Sequence, residues 1–267
     1  MIADDIRNKN RLSRAVLCLL LAILLAAAWS GRGFCAEAAP VIEQKTMPDG
    51  TAGSVIMDAA ALFFMSGILV YTSLYRKRGR LDDKLYFGMV LTNMALAASD
   101  AIAYLLEGRA FSEAGIIIVV CNVIFYAAFA AFPYLFLLYL DFHARRDRER
   151  IRRISTLYSI PCLFMFALLL INLKTGWLYS VSEKNIYHSG PYNNAVFVPV
   201  VLYVAVILVK LLRLNRRLAL LGVILILSRL AFGIWFRSIS STAMTYTLFL
   251  VATHIYALNR SINEEMT

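Results

Sequence analysis

The sequence predicts an all-α membrane protein, a polytopic bundle of transmembrane helices, and three observations predict it. Of 267 residues, 60% are hydrophobic and only 16% are charged, against roughly 45–50% and about 25% in soluble domains. The apolar residues form continuous leucine- and alanine-rich runs rather than the alternating pattern of a membrane β-barrel. Lysine and arginine fall in short bursts between those runs. A mean hydropathy of +0.68 with aromatics along the whole chain also excludes disorder.

Eight apolar stretches follow one another, at residues 15–29, 54–75, 85–106, 115–140, 154–173, 195–212, 218–236 and 241–258. A helix needs about 20 residues to cross the hydrocarbon core, so the last seven are long enough and the first is short. The first stretch has Arg7, Lys9, Arg11 and Arg14 before it and Ala36-Glu37-Ala38 after it, which is the pattern of a secretory signal peptide over residues 1–38. Seven transmembrane helices then remain, or eight if that segment is uncleaved. The expected organisation is an extracytoplasmic segment at 39–53, a seven-helix domain at 54–258 and a short cytoplasmic tail at 259–267.

Charge sets the orientation, because cytoplasmic connections carry the excess of lysine and arginine. Alternate connections hold twenty on one side: four before residue 15, five in RKRGRLDDK, six in ARRDRERIRR, four from Lys210 to Arg217, and Arg260. The other side holds six, namely Arg32, Lys45, Arg109, Lys174, Lys184 and Arg237, and Arg229 lies inside a span. This split places the mature N-terminus outside the cell membrane and the C-terminus in the cytoplasm. The same topological role explains a formal net charge of +10 without any nucleic-acid partner, and the basic runs can also attract anionic lipid head groups.

No P-loop, GxGxxG, GxSxG or HExxH is present. The four cysteines make no CxxC, and His143, His188 and His254 fall in separate places, so the expectation is no enzyme, no cofactor and no metal. The last span has no lysine for a retinal Schiff base.

Polar side chains at membrane depth carry the functional information, since a charge near the bilayer centre costs at least ~2.5–3.5 kcal/mol and faces a bundle interior or a cavity. Counting ~1.5 Å per residue from the outer helix ends puts Asp58 at ~6 Å, Asp100 at ~10 Å, and Asn122 and Arg229 at ~12 Å. These four, with Tyr187 from the adjoining loop, are the candidate ligand-binding residues. Asp100 and Arg229 have matched depths and are expected to pair, either as interhelical glue or as part of a ligand site. Asn93, seven residues before Asp100 on nearly the same face, reads as glue, and Asp141 reads as an interfacial partner of Arg145. Pro133, Pro161 and Pro199 are expected to kink their helices.

The longest outer loop, TGWLYSVSEKNIYHSGPYNN, carries Trp177, Tyr179, Tyr187 and Tyr192, which read as an interfacial aromatic belt beside the mouth of the bundle. The stretch NIYHSGPYNNAVFVPVVLYVAVILVKLLRLNRR, taken with GMVLTNMALAASDAIAYLLEG, resembles the N-terminal seven-helix sensor region of bacterial diguanylate cyclases and sensor histidine kinases. In that family an Asn-x-Tyr-x-Arg-Gly-Pro-like loop precedes a helix with a central tyrosine. Here Asn185, Tyr187, Gly190, Pro191 and Tyr203 match, as do Asn93 and Asp100 in the N-x6-D helix, while Ser189 stands where the family often has arginine.

The resemblance spans roughly residues 54–260 and implies a sensor that binds an unknown small ligand from outside and relays a helix movement inward. The sequence stops at NRSINEEMT, about where an output domain begins in that family, so the expected readout is a cytoplasmic or membrane signalling partner, a cyclase or histidine kinase. A homodimer is compatible with this reading. A small permease or transporter subunit is the alternative, in which the same polar residues would line a substrate path, although the internal repeat common in transporters is not visible.

Overall fold

The computed structural model describes residues 51–75, 81–109, 113–214, 219–220, 222–224, 226–227, 240 and 242–265. The expected signal peptide, most of the 39–53 segment, Arg229 and most of the 218–236 span lie outside the described residues. The elements in chain order are helices α1 (Thr51–Tyr75), α2 (Leu81–Leu106), α3 (Ala114–Arg145) and α4 (Arg148–Thr175), then strands β1 (Tyr179–Val181) and β2 (Tyr187–Ser189). A 3-10 turn (Asn193–Val196) leads into α5 (Phe197–Leu214), and α6 (Thr242–Glu265) closes the chain.

Five of these segments are long and apolar enough to cross a membrane: Ala52–Ser73, Leu81–Leu106, Ala114–Arg145, Arg148–Thr175 and Asn193–Arg213. Their outward faces carry large apolar side chains that a soluble protein would bury, such as Phe63 at 77% exposure and Ile116 and Leu170 at 69%. This apolar rim is what a lipid-facing bundle requires.

α3 is the central helix. It packs on α2, α4 and α5, while α6 packs on α1 and α2. Buried alanines at 128 and 130 leave room for close approach, and Phe136, Met89, Met65, Leu211 and Leu250 fill the interior. Phe132 of α3 stacks on Tyr246 of α6 with ring centres 4.1 Å apart. Gly222 sits between Phe249 and Leu208: an added Cβ would stand 3.3 Å from the phenylalanine ring and 3.5 Å from Leu208.

The arginine-rich run expected as a connecting loop is instead helix. Only Arg146 and Asp147 separate α3 from α4. Arg146 adopts a left-handed conformation (φ 53°) and its N–H closes α3 on the Phe142 carbonyl, while the Asp147 carboxylate accepts the Arg150 N–H at 3.0 Å to start α4. Arginine is a good helix former, and an exposed Glu149–Arg153 pair lies one turn apart, so the charges continue the helices rather than breaking them.

The three prolines do not act alike. Pro133 and Pro161 lie inside α3 and α4. Pro199 was expected to kink its helix, but it is the third residue of α5. Amides of the first turn have no intrahelical acceptor, so proline there removes no bond.

Candidate functional site

The loop between α4 and α5 forms a lid on one end of the bundle. Asn172, buried in the last turns of α4, accepts the N–H groups of Leu178 and Tyr179 at 2.7 and 3.1 Å and donates to the Tyr179 carbonyl at 3.1 Å. Gly176 supplies the left-handed turn that ends α4. β1 and β2 then pair antiparallel, with Tyr179 opposite Ser189 and Val181 opposite Tyr187. Gly190 passes so close to the returning chain that a Cβ would lie 2.2 Å from the Trp177 carbonyl oxygen, so this position requires glycine.

Asn185 pins the hairpin tip to the bundle. Its backbone is left-handed (φ 59°), its carbonyl accepts the Gly108 N–H at 2.9 Å, and its amide donates to the Arg109 carbonyl at 2.8 Å. Gly115 leaves the space for that amide, since a Cβ there would meet its oxygen at 2.7 Å.

The loop aromatics divide into two classes, which corrects the reading of all four as an interfacial belt. Trp177 and Tyr192 are exposed and touch each other. Tyr179 is buried and Tyr187 half-buried, because the hairpin folds them onto α3: Tyr126, Tyr179 and Tyr187 stack in series with centre distances of 5.6 and 5.8 Å. The hydroxyls of Tyr126 and Tyr187 share a 2.9 Å hydrogen bond, and Tyr126 donates to the Asn193 side chain at 3.2 Å. Burial, reinforced by Tyr187, pushes the Tyr179 phenol up to about 12, and burial also raises the Tyr187 phenol.

Beneath this lid lies an acidic and aromatic cluster. Asp58 of α1 is 1% exposed, and neither carboxylate oxygen has a hydrogen-bond partner among the described residues. Asp100 of α2 is within electrostatic reach of it and accepts the Ser240 hydroxyl at 2.6 Å. Ser240 also donates its backbone N–H to the Ser54 hydroxyl at 2.8 Å. Tyr104 bonds to Ser54 and stands near Asp100, Asp58 and Glu107. Glu107 accepts the Tyr187 N–H at 3.2 Å, joining the cluster to the hairpin.

Of the five residues nominated from sequence, the structure brings Asp58, Asp100 and Tyr187 to one end of the bundle. Asn122 instead donates to the Ile118 carbonyl of its own helix at 2.8 Å. Arg229 lies outside the described residues. Ser54, Tyr104, Glu107, Tyr126 and Ser240 were missed. Asp100, Tyr104 and Glu107 are spaced four and three apart on one helical face, as are Ser54 and Asp58, and that spacing was the available signal.

Other polar residues hold helices together. Asn93, fully buried, donates to Thr247 at 2.9 Å and to the Ala243 carbonyl at 3.2 Å, tying α2 to α6. At the arginine-rich end Asp141 binds Lys210 of α5 and accepts the Tyr158 hydroxyl of α4 at 2.7 Å. Its partner is therefore Lys210 rather than Arg145, because Asp141 faces the neighbouring helices while Arg145 is exposed at the helix end. Among the described residues no group of three or more His, Cys, Asp or Glu side chains is placed to hold a metal.

Comparison with known proteins adds no relative: no family model, no curated protein and no solved structure matches this chain.

Proposed function

We propose that the chain is a membrane sensor module that takes up a small ligand at the hairpin end and passes a displacement of α6 to the opposite end. The observation that carries this reading is the pair of hydrogen bonds made by Ser240. It ties the residue just ahead of α6 both to Asp100, through its hydroxyl, and to Ser54, through its amide. A ligand that engages Asp100 therefore competes with a direct restraint on α6. That helix is about 36 Å long at 1.5 Å per residue, enough to carry a shift across the bilayer.

In this reading the hairpin end faces outward and the arginine-rich end faces the cytoplasm, in keeping with the charge split. The seventh helix is the 218–236 span, supported by Gly222 packed between Leu208 of α5 and Phe249 of α6, and residues 1–38 are its signal peptide. The likeness to cyclase- and kinase-linked sensor regions makes such an enzyme the partner that reads the α6 displacement. Asp58 favours a ligand site over simple glue, since glue requires satisfied hydrogen bonds and this carboxyl group has none among the described residues.

The test uses spin labels at Arg213→Cys on α5 and Asn263→Cys on α6 in nanodiscs, with the native cysteines replaced. Asp100→Asn and Ser240→Ala, which weaken the restraint, shift the distance distribution between the labels. A distribution unchanged in both variants contradicts the relay.

A further inference from the structure

We propose that the ligand taken up at the hairpin end is a small organic ammonium ion, bound by the Asp58 carboxylate with Asp100 and the surrounding tyrosines. This deepens the sensor reading and rests on it for the location of the site. The carboxyl groups of Asp58, Asp100 and Glu107 each lie within electrostatic reach of Tyr104. Asp58 has neither a hydrogen bond nor an ion pair among the described residues. It cannot turn to water, being 1% exposed. Even if Asp100 is fully compensated, Asp58 remains a buried carboxyl group with no countercharge beside it among the described residues. Removing one partner of a buried pair is strongly destabilising for just this reason.

The chemistry of the surroundings selects among cations. Tyr104, Tyr126 and Tyr187 all lie within electrostatic reach of Asp100. Carboxylates flanked by phenol rings suit an ammonium group, which gains charge pairing, hydrogen bonds and contact with π faces together. A divalent metal would want several charged or imidazole ligands at short range, and the described residues assemble no such group. A carboxylate or phosphate ligand would meet repulsion from all three acids.

The experiment is thermal unfolding of the full chain in nanodiscs, titrated with methylammonium chloride or tetramethylammonium chloride. Sodium chloride and calcium chloride at equal ionic strength serve as comparisons. At least one ammonium salt raises the midpoint saturably, and Asp58→Asn raises the half-saturating concentration about tenfold or more, the loss expected for a charge-assisted bond. A second readout avoids dependence on how that variant folds: in the wild-type chain the same ammonium protects Asp58 from carbodiimide modification, measured by mass spectrometry.

Absence of any saturable shift or protection with both ammonium salts overturns the inference. So does a shift that Asp58→Asn leaves unchanged, or a saturable, Asp58-dependent shift given only by sodium or calcium. Ammonium binding with no change between the α5 and α6 labels sinks the relay and leaves this inference standing. Label movement in Asp100→Asn without ammonium binding does the reverse.

Discussion

The Tyr246 hydroxyl of α6 donates at 3.2 Å to the carbonyl of Phe129 in α3, the acceptor that Pro133 leaves without its helical donor. Proline at position 133 has no N–H, so the carbonyl four residues earlier would otherwise be unsatisfied in a medium without water. α4 shows a related arrangement. There the Tyr203 hydroxyl of α5 accepts the Cys162 N–H at 3.1 Å and donates to the Tyr158 carbonyl, standing in the hydrogen-bond ladder next to Pro161. Tyrosines from neighbouring helices thus supply what the ladders lack.

A double-mutant cycle follows from the first relationship. Tyr246→Phe destabilises by ~1–3 kcal/mol, the cost of an orphaned buried polar group, together with any loss of stacking on Phe132. Pro133→Ala restores the N–H, so Tyr246→Phe costs less in that background. Unfolding midpoints of the four proteins give the coupling, and additive effects would show that the hydroxyl does not serve the Phe129 carbonyl.

At the arginine-rich end, Asp141→Asn and Lys210→Met each lower the yield of folded protein, because each strands a charge that the other partner compensated. The double replacement recovers most of it. Size-exclusion profiles of the three variants are the measurement. Two single variants that behave like wild type would mean that the pair contributes nothing, as exposed pairs often do.

Two glycines provide a contrast in the lid and the lipid face. Gly190→Ala forces a methyl group against the Trp177 carbonyl, lowers the unfolding midpoint and frees Tyr179 and Tyr187 to solvent. Gly67→Ala, with nothing within 4 Å of the added Cβ, leaves the midpoint unchanged or raises it slightly through helix propensity. Equal effects of the two substitutions would contradict the close approach at Gly190.

The buried phenol of Tyr179 sets an alkaline limit. Its folded value lies above the ordinary tyrosine value, so the folded state holds the proton more tightly than the unfolded state. Stability is complete below pH ~10, and the contribution is lost as pH rises from there through about 12. Ultraviolet titration shows tyrosines ionising above the ordinary range, and Tyr179→Phe removes one equivalent of that delayed component.

Much of the architecture was legible in the residues because membrane helices need length and apolarity, and both are written locally. Runs at 54–75, 85–106, 115–140, 154–173 and 195–212 each fall on a helix found in the structure. What sequence position could not give was direction and partner. Asn122 and Asp100 look alike as polar residues in apolar helices, yet one turns to its own carbonyl and the other reaches Ser240. Lys210 counted as a topological charge but lies against Asp141, and the loop tyrosines were separated from the exposed aromatics only by a hairpin whose register depends on Asn172, Asn185 and Gly190.

Access to Asp58 from the hairpin side of the membrane tests the central claim most directly. In a chain whose native cysteines are replaced, Asp58→Cys is exposed to membrane-impermeant methanethiosulfonates, one cationic and one anionic, added to either side of sealed vesicles. The account predicts modification from the extracytoplasmic side, faster with the cationic reagent because Asp100 and Glu107 remain to attract it. A cysteine that reacts with neither reagent, or only from the cytoplasmic side, would show that Asp58 is sealed within the bundle or faces the other way, and the sensor reading would fall with it.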